Sequence, residues 1–260
     1  MAKKALVLLY PLNEENEIVI PVQVLRKAEY EVTLAGPTEA PVVGSRNMKI
    51  VPETTLKEAM KCGPYDVIVA GGGRFGWRAL SEDPDVGTVL REQEKAGRLI
   101  AAICTAPIAM KNHRIMYGRR LTSYPLVEDM VREGDHYIYK YDDVVKDGNL
   151  ITSRGNYTTW HFALSIVEYL SGRAAAEEAA KEMLLFVFVE RQKMNKYNNC
   201  AVFGCEDSTS SRHLFPNPNK YPEQFAVWLN ARKNPKLNAL PKDNVYKSHR
   251  ACYRHLIPDH

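Results

Sequence analysis

A lone cysteine follows a short apolar run in the middle of the chain. Leu99–Ile103 has the character of a buried strand, and Cys104 comes next, followed by the small residues Thr105 and Ala106. This is the pattern of a nucleophile elbow, a sharp turn that exposes a side chain between a strand and a helix. A helix N-terminus stabilises a thiolate, so a lowered thiol pKa is expected. Cys104 is therefore a candidate nucleophile or oxidation target, and an inert core cysteine is the open alternative.

Two further features could serve that cysteine. Gly71–Gly73 follow another apolar run, and glycines let backbone N–H groups point at a bound oxygen. The amides of Gly72, Gly73 and Thr105 could thus form an oxyanion hole, although a plain strand-to-helix turn is the alternative. Glu17 lies in the first turn of the helix after the first strand, where it could shuttle protons or merely serve the helix dipole.

A second set of reactive side chains lies near the end of the chain. Cys200 and Cys205 are separated by four residues, and Cys252 and His255 by two. Two such pairs form a C2CH pattern that suits tetrahedral Zn²⁺. The spacing predicts a zinc module, and unpaired thiols in a linker are the alternative.

Composition and charge divide the chain into two parts. The 260 residues are 45% hydrophobic and 25% charged, which excludes collagen-like, coiled-coil and wholly disordered classes. Residues 1–193 carry 25 Lys and Arg against 26 Asp and Glu, whereas residues 194–260 carry 10 against 5 and so a net charge of +5. We expect domains at 1–190 and 194–260. The chain shows no membrane span or export signal, and few cysteines favour a reducing compartment.

The elements that would position these residues alternate between strands and helices. The predicted strands are Ala5–Tyr10, Glu31–Ala35, Asp66–Ala70, Leu99–Ile103 and Leu150–Thr152. Helices are predicted at Asn13–Ala28, Thr55–Lys61, Pro84–Ala96, Ala106–His113, Leu126–Glu133, Tyr157–Leu170 and Ala174–Met183, with antiparallel additions at Arg46–Val51 and at a pair formed by Tyr137–Tyr141 and Val144–Lys146. This order predicts an α/β, doubly wound sheet, in which ligands collect at the carboxyl ends of the strands.

Several ordered motifs resemble the protein deglycases of the PfpI superfamily, which have class I amidotransferase-like folds. They are Ala-Leu-Val-Leu-Leu-Tyr, Asn-Glu-Glu-Asn-Glu-Ile-Val-Ile-Pro-Val, Gly-Pro-Tyr-Asp-Val-Ile-Val-Ala-Gly-Gly-Gly, Ala-Ala-Ile-Cys-Thr-Ala-Pro and Thr-Ser-Arg-Gly, within residues 3–189. The resemblance implies a flavodoxin-like sandwich, a homodimer, Cys104 as reactive thiol and Glu17 as its proton-sharing partner. It also implies that Arg46 reaches the site across the dimer and that Arg154 and Gly155 form a loop beside it.

The sequence departs from this family pattern at three places. Tyr124 stands where the family usually has a histidine near the thiol, and a neutral phenol cannot do that histidine's proton work at pH 7. Thr105 replaces the histidine that follows the cysteine in the protease-like branch, which argues against peptidase activity. Gly71 replaces a proline. Slower turnover, or a site that serves mainly as an oxidation sensor, is therefore an open alternative.

Residues 194–260 resemble a THAP-type zinc finger that lacks its closing segment after His255. The resemblance implies Zn²⁺ in this module and DNA as a partner. The leading functional hypothesis is a cysteine hydrolase that needs no catalytic cofactor, acts on methylglyoxal, glyoxal and their early adducts on proteins or nucleotides, and releases lactate or glycolate. A redox-sensing chaperone and a DNA-binding protein dimerised by its first domain are the alternatives. The expected location is the cytoplasm and nucleus, with mitochondria as a further compartment.

Overall fold

A computed structural model of the 260-residue chain describes residues 2–185, 212–214 and 250–252. The chain divides into two compact units, Met1–Phe188 and Val189–His260. Almost all described residues belong to the first unit, which carries Cys104 and Glu17.

The first unit is built on a seven-stranded sheet in which six strands run parallel. Its strands, in chain order, are β1 (Lys4–Leu8), β2 (Glu31–Gly36), β5 (Thr54–Thr55), β6 (Val67–Ala70), β7 (Leu99–Ile103), β10 (Val144–Asp147) and β11 (Leu150–Ser153). Their order across the sheet is β10-β11-β7-β6-β1-β2-β5. Only β10 is antiparallel to its neighbour, and β1, β6 and β7 lie side by side at the centre. This confirms the expected α/β doubly wound architecture.

Helices cover both faces of this sheet, which explains why its central strands are apolar. The helices are α1 (Glu15–Lys27), α2 (Leu56–Lys61), α3 (Gly76–Glu82), α4 (Pro84–Lys95), α5 (Ala106–Asn112), α6 (Glu128–Arg132), α7 (Thr159–Ser171) and α8 (Arg173–Glu182), with 3₁₀ turns at Pro125–Val127 and Asn156–Thr158. Alternate residues of β1 belong to different cores: Val7 packs with α1, α7 and α8, and Leu6 packs with α2 to α5. The central strands β1, β6 and β7 are therefore buried on both faces.

For α1 the sequence predicts a cap at Asn13 and, at Pro21, either a kink or the true first turn of the helix; the cap and the first-turn alternative are wrong. Its N-terminal flanking residue is Glu14, and the side chain of Asn13 makes no helix cap. Pro21 lies inside the helix, which continues unbroken from Glu15 to Lys27. A proline removes one intrahelical hydrogen bond, and here the packing of buried Ile18, Val24 and Leu25 retains the helix around it.

Short strands account for the remaining differences. The strands β3 (Val42–Val43) and β4 (Lys49–Ile50) form an antiparallel pair, as the sequence predicted for part of this region. The second predicted antiparallel pair is wrong: β9 (Ile138–Tyr139) pairs parallel with β8 (Arg120–Leu121), and β10 pairs with β11. The sequence also missed α3, because it begins at a glycine and has no side-chain cap.

The described part of the second unit is a two-stranded antiparallel ribbon. The strand β12 (Arg212–Leu214) pairs with β13 (Arg250–Cys252), so Cys252 lies opposite Arg212. Of the other predicted zinc ligands, Cys200, Cys205 and His255 lie outside the described residues. Within the described part of the chain, no helix is long and apolar enough to cross a membrane.

Candidate active site

Cys104 occupies a strained turn between β7 and α5. Its φ is +64°, a left-handed conformation that residues other than glycine seldom adopt. The turn is held from two sides, because the Cys104 amide donates to the Ser153 carbonyl at 2.9 Å and the Tyr124 amide donates to the Cys104 carbonyl at 2.8 Å. The predicted nucleophile elbow is therefore present in the structure.

Backbone amides surround the sulfur of Cys104. The N–H groups of Gly73 and Thr105 both donate to it. The Thr105 hydroxyl donates to the Gly73 carbonyl at 2.8 Å, which ties the glycine loop to the elbow. The sequence assigned these two amides, together with that of Gly72, to an oxyanion hole, and in the resting site they face the thiol.

Glu17 is fully buried beside this thiol. Its Oε2 accepts the Gly72 amide at 2.8 Å, so Gly72 holds the acid and does not contribute its amide to the predicted oxyanion hole. Its Oε1 has no hydrogen-bond donor of normal geometry among the described residues, and Cys104 is the side chain with which the carboxyl interacts. A buried carboxyl oxygen without a donor is favoured in its protonated form.

Burial governs the protonation of this pair. Removal from water raises the pKa of Glu17 to about 7, although contacts with Cys104 and Gly72 oppose the shift. Burial and the Glu17 charge also raise the pKa of the Cys104 thiol, and they outweigh the amides of Gly73 and Thr105. The expected lowering of the thiol pKa by the helix N-terminus is thus wrong for the resting site. The two groups are coupled, so a proton on Glu17 removes one cause that disfavours the thiolate.

Asn13 is a site residue whose role the sequence did not reveal. Its amide nitrogen donates to the carbonyls of Gly71 at 3.0 Å and Gly72 at 2.8 Å, and its oxygen accepts the Tyr10 amide at 2.6 Å. Asn13 therefore orients the glycine loop so that its amides face Glu17 and Cys104. Its place before a helix had suggested only a cap.

Gly155 leaves open the space above the reactive pair. A Cβ atom at this position would lie 3.8 Å from the Cys104 sulfur, 3.8 Å from Glu17 Oε1 and 3.7 Å from the Tyr124 ring. These three side chains therefore border one small space. Tyr124 is 39% exposed and contributes its ring, as expected from its position in the family motif, while Arg154 donates to the Tyr141 carbonyl.

Arg46 is not joined to this site within the chain. It is exposed, and no hydrogen bond or ion pair of its side chain to Cys104 or Glu17 is found in the described part of the chain. Its loop is fixed by Glu15, which accepts the amides of Arg46 at 2.7 Å and Met48 at 3.3 Å and a hydrogen bond from Ser45. Glu15 was not singled out from the sequence.

Groups of three or more metal-ligating side chains are absent from the described residues.

Comparison with known proteins agrees with this geometry. The sequence profile of the DJ-1/PfpI family matches residues 3–169. The Parkinson disease protein 7 homolog of Danio rerio is 47% identical over 184 residues, which are 70% of this chain and 97% of the relative. The glutathione-independent glyoxalase DJR-1.2 of Caenorhabditis elegans is 38% identical over 184 residues, again 70% of this chain and 97% of the relative.

The architecture matches a solved structure over the same part of the chain. The crystal structure of Drosophila melanogaster DJ-1beta superposes with a TM-score of 0.68 at 45% identity, covering 71% of this chain and 98% of the other. These matches span 97–98% of the length of the three relatives, and they include the part of this chain that holds Cys104 and Glu17. The chain belongs to the DJ-1/PfpI family.

Proposed function

We propose that this chain is a cysteine-dependent glyoxalase and deglycase that converts methylglyoxal or glyoxal, and their early adducts, to lactate or glycolate. The observation that carries the proposal is the elbow at Cys104, with two amides donating to its sulfur and the buried Glu17 beside it. A relative named as a glutathione-independent glyoxalase supports the same chemistry.

The first step uses the thiolate form of Cys104 with Glu17 protonated. The sulfur adds to the aldehyde carbon of methylglyoxal, and the carbonyl electron pair moves onto oxygen to give a hemithioacetal alkoxide. This oxygen lies two bonds from the sulfur, on the carbon that the sulfur attacks, where it can accept hydrogen bonds from the N–H groups of Gly73 and Thr105. The Glu17 proton then neutralises the alkoxide.

Glu17 then acts as a base with a pKa of about 7, near the working pH of a neutral compartment. It removes the hydrogen from the former aldehyde carbon to give an enediolate and returns a proton to the neighbouring carbon. The hydroxyl proton moves to the former ketone oxygen, so that a lactoyl thioester forms on Cys104. Water attacks this thioester, lactate leaves and the thiol is regenerated. The overall change adds one water to methylglyoxal and needs no external oxidant or reductant.

The test compares methylglyoxal loss and lactate formation in the full chain and in Cys104→Ser. We expect the variant to lose at least 100-fold in turnover, because removing a nucleophile removes the covalent route. Cys62→Ser is the matched control, since Cys62 is an exposed free thiol at the end of α2. Equal rates for the full chain and Cys104→Ser would refute the enzymatic proposal.

A redox-sensing role is the second candidate, and the same two amides favour it. Peroxide oxidises a thiolate to a sulfenate and then to a sulfinate, and each step consumes one peroxide and releases one water. The N–H groups of Gly73 and Thr105 can hold the new oxygens, and no histidine is required. Intact mass after mild peroxide should show two oxygen atoms on Cys104 first. Oxidation of Cys62 before Cys104 would count against this role.

A homodimer is proposed from an apolar surface around the start of α1. Val19 is 44% exposed one turn after Glu15, whose carboxyl holds the loop carrying exposed Met48. Val51 follows Met48 by three residues, and its side chain is 61% exposed. A second copy that covers this surface would also bring Arg46 towards a neighbouring site. Light scattering should give twice the chain mass, and Val19→Glu should shift it towards the monomer.

A further inference from the structure

A small cavity lies on the outer side of the glycine loop. It measures about 310 Å³ and is lined by Pro11, Leu12, Phe75, Arg78, Ala79 and Glu82. Four of these side chains offer mainly hydrocarbon surface, and Phe75 and Leu12 are 42% and 44% exposed. The volume is at the lower end of ligand sites, so it suits one or two side chains.

Two arginines flank the exposed ring of this cavity. The guanidinium of Arg74 lies 5.3 Å from the Phe75 ring centre, and that of Arg78 lies 5.1 Å from it. Arg78 also lies 5.5 Å from the Trp77 ring. In the described part of the chain neither arginine forms an ion pair. Both therefore keep their charge available for an external carboxylate.

The segment that lines the cavity follows the glycine loop of the reactive site directly in sequence. Arg74 directly follows Gly73, whose amide donates to the Cys104 sulfur. Helix α3 begins directly after Phe75 and carries Arg78. It is joined to α5 and its C-terminal flanking residue by two hydrogen bonds, from Asn112 to Ser81 at 3.0 Å and between His113 and the Leu80 carbonyl at 2.8 Å.

We propose that this cavity binds the polypeptide next to a dicarbonyl adduct, and that it selects segments with an apolar residue followed by an acidic one. The apolar side chain enters between Leu12, Phe75 and Ala79. The carboxylate pairs with Arg74 or Arg78, away from Glu82. The part concerning adducts rests on the proposed function, whereas peptide binding itself does not.

The charge distribution favours a peptide over a nucleic acid. A polyanionic strand needs a continuous basic track, and here the carboxylate of Glu82 lines one side of the cavity. One carboxylate can pair with the guanidinium of Arg74 or Arg78 and still avoid Glu82, whereas a row of phosphates cannot. The site is therefore selective for a single acidic residue beside an apolar one.

The test measures binding of two peptides, acetyl-Gly-Leu-Asp-Gly-amide and its Asn counterpart, to the full chain carrying Cys104→Ser. Trp77 fluorescence reports occupancy because its ring contacts Arg78, and titration calorimetry gives the dissociation constants. We expect the Asp peptide to bind about fivefold tighter, as one exposed carboxylate pairing with guanidinium allows. Because this background has no thiol at position 104, the result is independent of turnover.

The variants Arg74→Gln and Arg78→Gln together should abolish the preference for the Asp peptide. Arg91→Gln is the matched control, since Arg91 is an exposed arginine on α4 that does not line the cavity. Equal dissociation constants for the two peptides, or an Asp preference that survives the double variant, would overturn the proposal. Tighter binding of a single-stranded oligonucleotide than of the Asp peptide, lost in the double variant of Arg74 and Arg78, would overturn it as well.

Discussion

The buried carboxyl of Glu17 should make the folded state less stable as pH rises. Its pKa is raised from 4.5 to about 7, so the folded protein prefers the protonated acid more than the unfolded chain does. The contribution of Glu17 to the free energy of unfolding is fully present below pH 4.5 and is lost as the pH rises through 7. Relative to low pH, the free energy of unfolding falls by about 3 kcal/mol at pH 8 and by about 1 kcal/mol at pH 5.

Glu17→Gln should therefore raise the free energy of unfolding, and more at pH 8 than at pH 5. The glutamine oxygen can still accept the Gly72 amide, and its nitrogen faces the Cys104 sulfur. Urea denaturation at both pH values measures the difference. Turnover of methylglyoxal should fall in the same variant because the proton shuttle is lost. An equal change in stability at pH 5 and pH 8 would show that Glu17 is not protonated in the folded state.

The rate at which Cys104 is alkylated should change with pH as Glu17 titrates. Above pH 7 the Glu17 carboxylate opposes thiolate formation at Cys104, so the rise of alkylation rate with pH should flatten there. In Glu17→Gln this charge is absent, the flattening near pH 7 should disappear, and the variant should react faster above pH 8. Iodoacetamide labelling, followed by mass analysis of the peptide containing residue 104, gives the rates. Identical pH profiles would contradict the coupling.

At the residue scale, the sequence identified the atoms of the pair but not their supports. Cys104 and Glu17 stood out because a thiol followed a buried strand and an acid lay near the same sheet edge. Asn13 and Glu15 were missed because each acts on backbone groups distant in sequence, the carbonyls of Gly71 and Gly72 and the amide of Arg46. Hydrogen bonds of this kind join residues that are distant in sequence, so only the three-dimensional structure reveals them.

At the scale of elements, the close approach of the glycine loop to the elbow should be intolerant of a side chain. A Cβ atom on Gly72 would lie 2.5 Å from the Thr105 nitrogen and 2.8 Å from the Cys104 Cβ. Gly72→Ala must therefore push the loop and elbow apart, at a cost of about 1–3 kcal/mol. It should also weaken the amide contacts to the sulfur and lower methylglyoxal turnover at least tenfold.

Gly97→Ala is the matched control for this change. Gly97 has φ of +66°, but a Cβ atom added there would meet nothing within 4 Å among the described residues. Alanine at this position therefore costs backbone strain of about 1 kcal/mol without a clash. Thermal unfolding and initial rates should separate the two variants. If Gly72→Ala retained full turnover, the tight contact between the loop and the elbow would not be required for catalysis.

The long elements were predictable and the short ones were not. β1, β6 and β7 are uninterrupted apolar runs because helices cover both of their faces, and Thr55 caps α2 by accepting the Glu58 amide. By contrast, β8 and β9 are two residues each, and their pairing depends on tertiary contacts, not on local pattern. The continuation of α1 through Pro21 likewise depends on tertiary contacts, which the local pattern does not show.

At the scale of the whole molecule, the sequence divides into a unit whose family is established and a basic segment with a separate metal-ligand pattern. The DJ-1/PfpI match ends at residue 169, and the relatives cover about 70% of the chain. Residues 194–260 lie beyond the family match, so their role is argued from their own side chains. Cys200, Cys205, Cys252 and His255 supply the thiolate and imidazole donors that zinc prefers in structural sites.

We therefore expect the full chain to hold one zinc ion per molecule through this donor set. Mass spectrometry of the metal content after dialysis should give a ratio near one, and Cys200→Ser with Cys252→Ser should lower it to near zero. Cys62→Ser should keep the metal, because Cys62 has no ligand pattern around it. The described residues of the first unit hold no group of three or more metal-ligating side chains, so zinc lost with these two cysteines must come from residues 194–260. Zinc that persisted in the double variant would contradict the site, while a zinc-dependent DNA shift that weakens with salt would extend it to nucleic-acid binding.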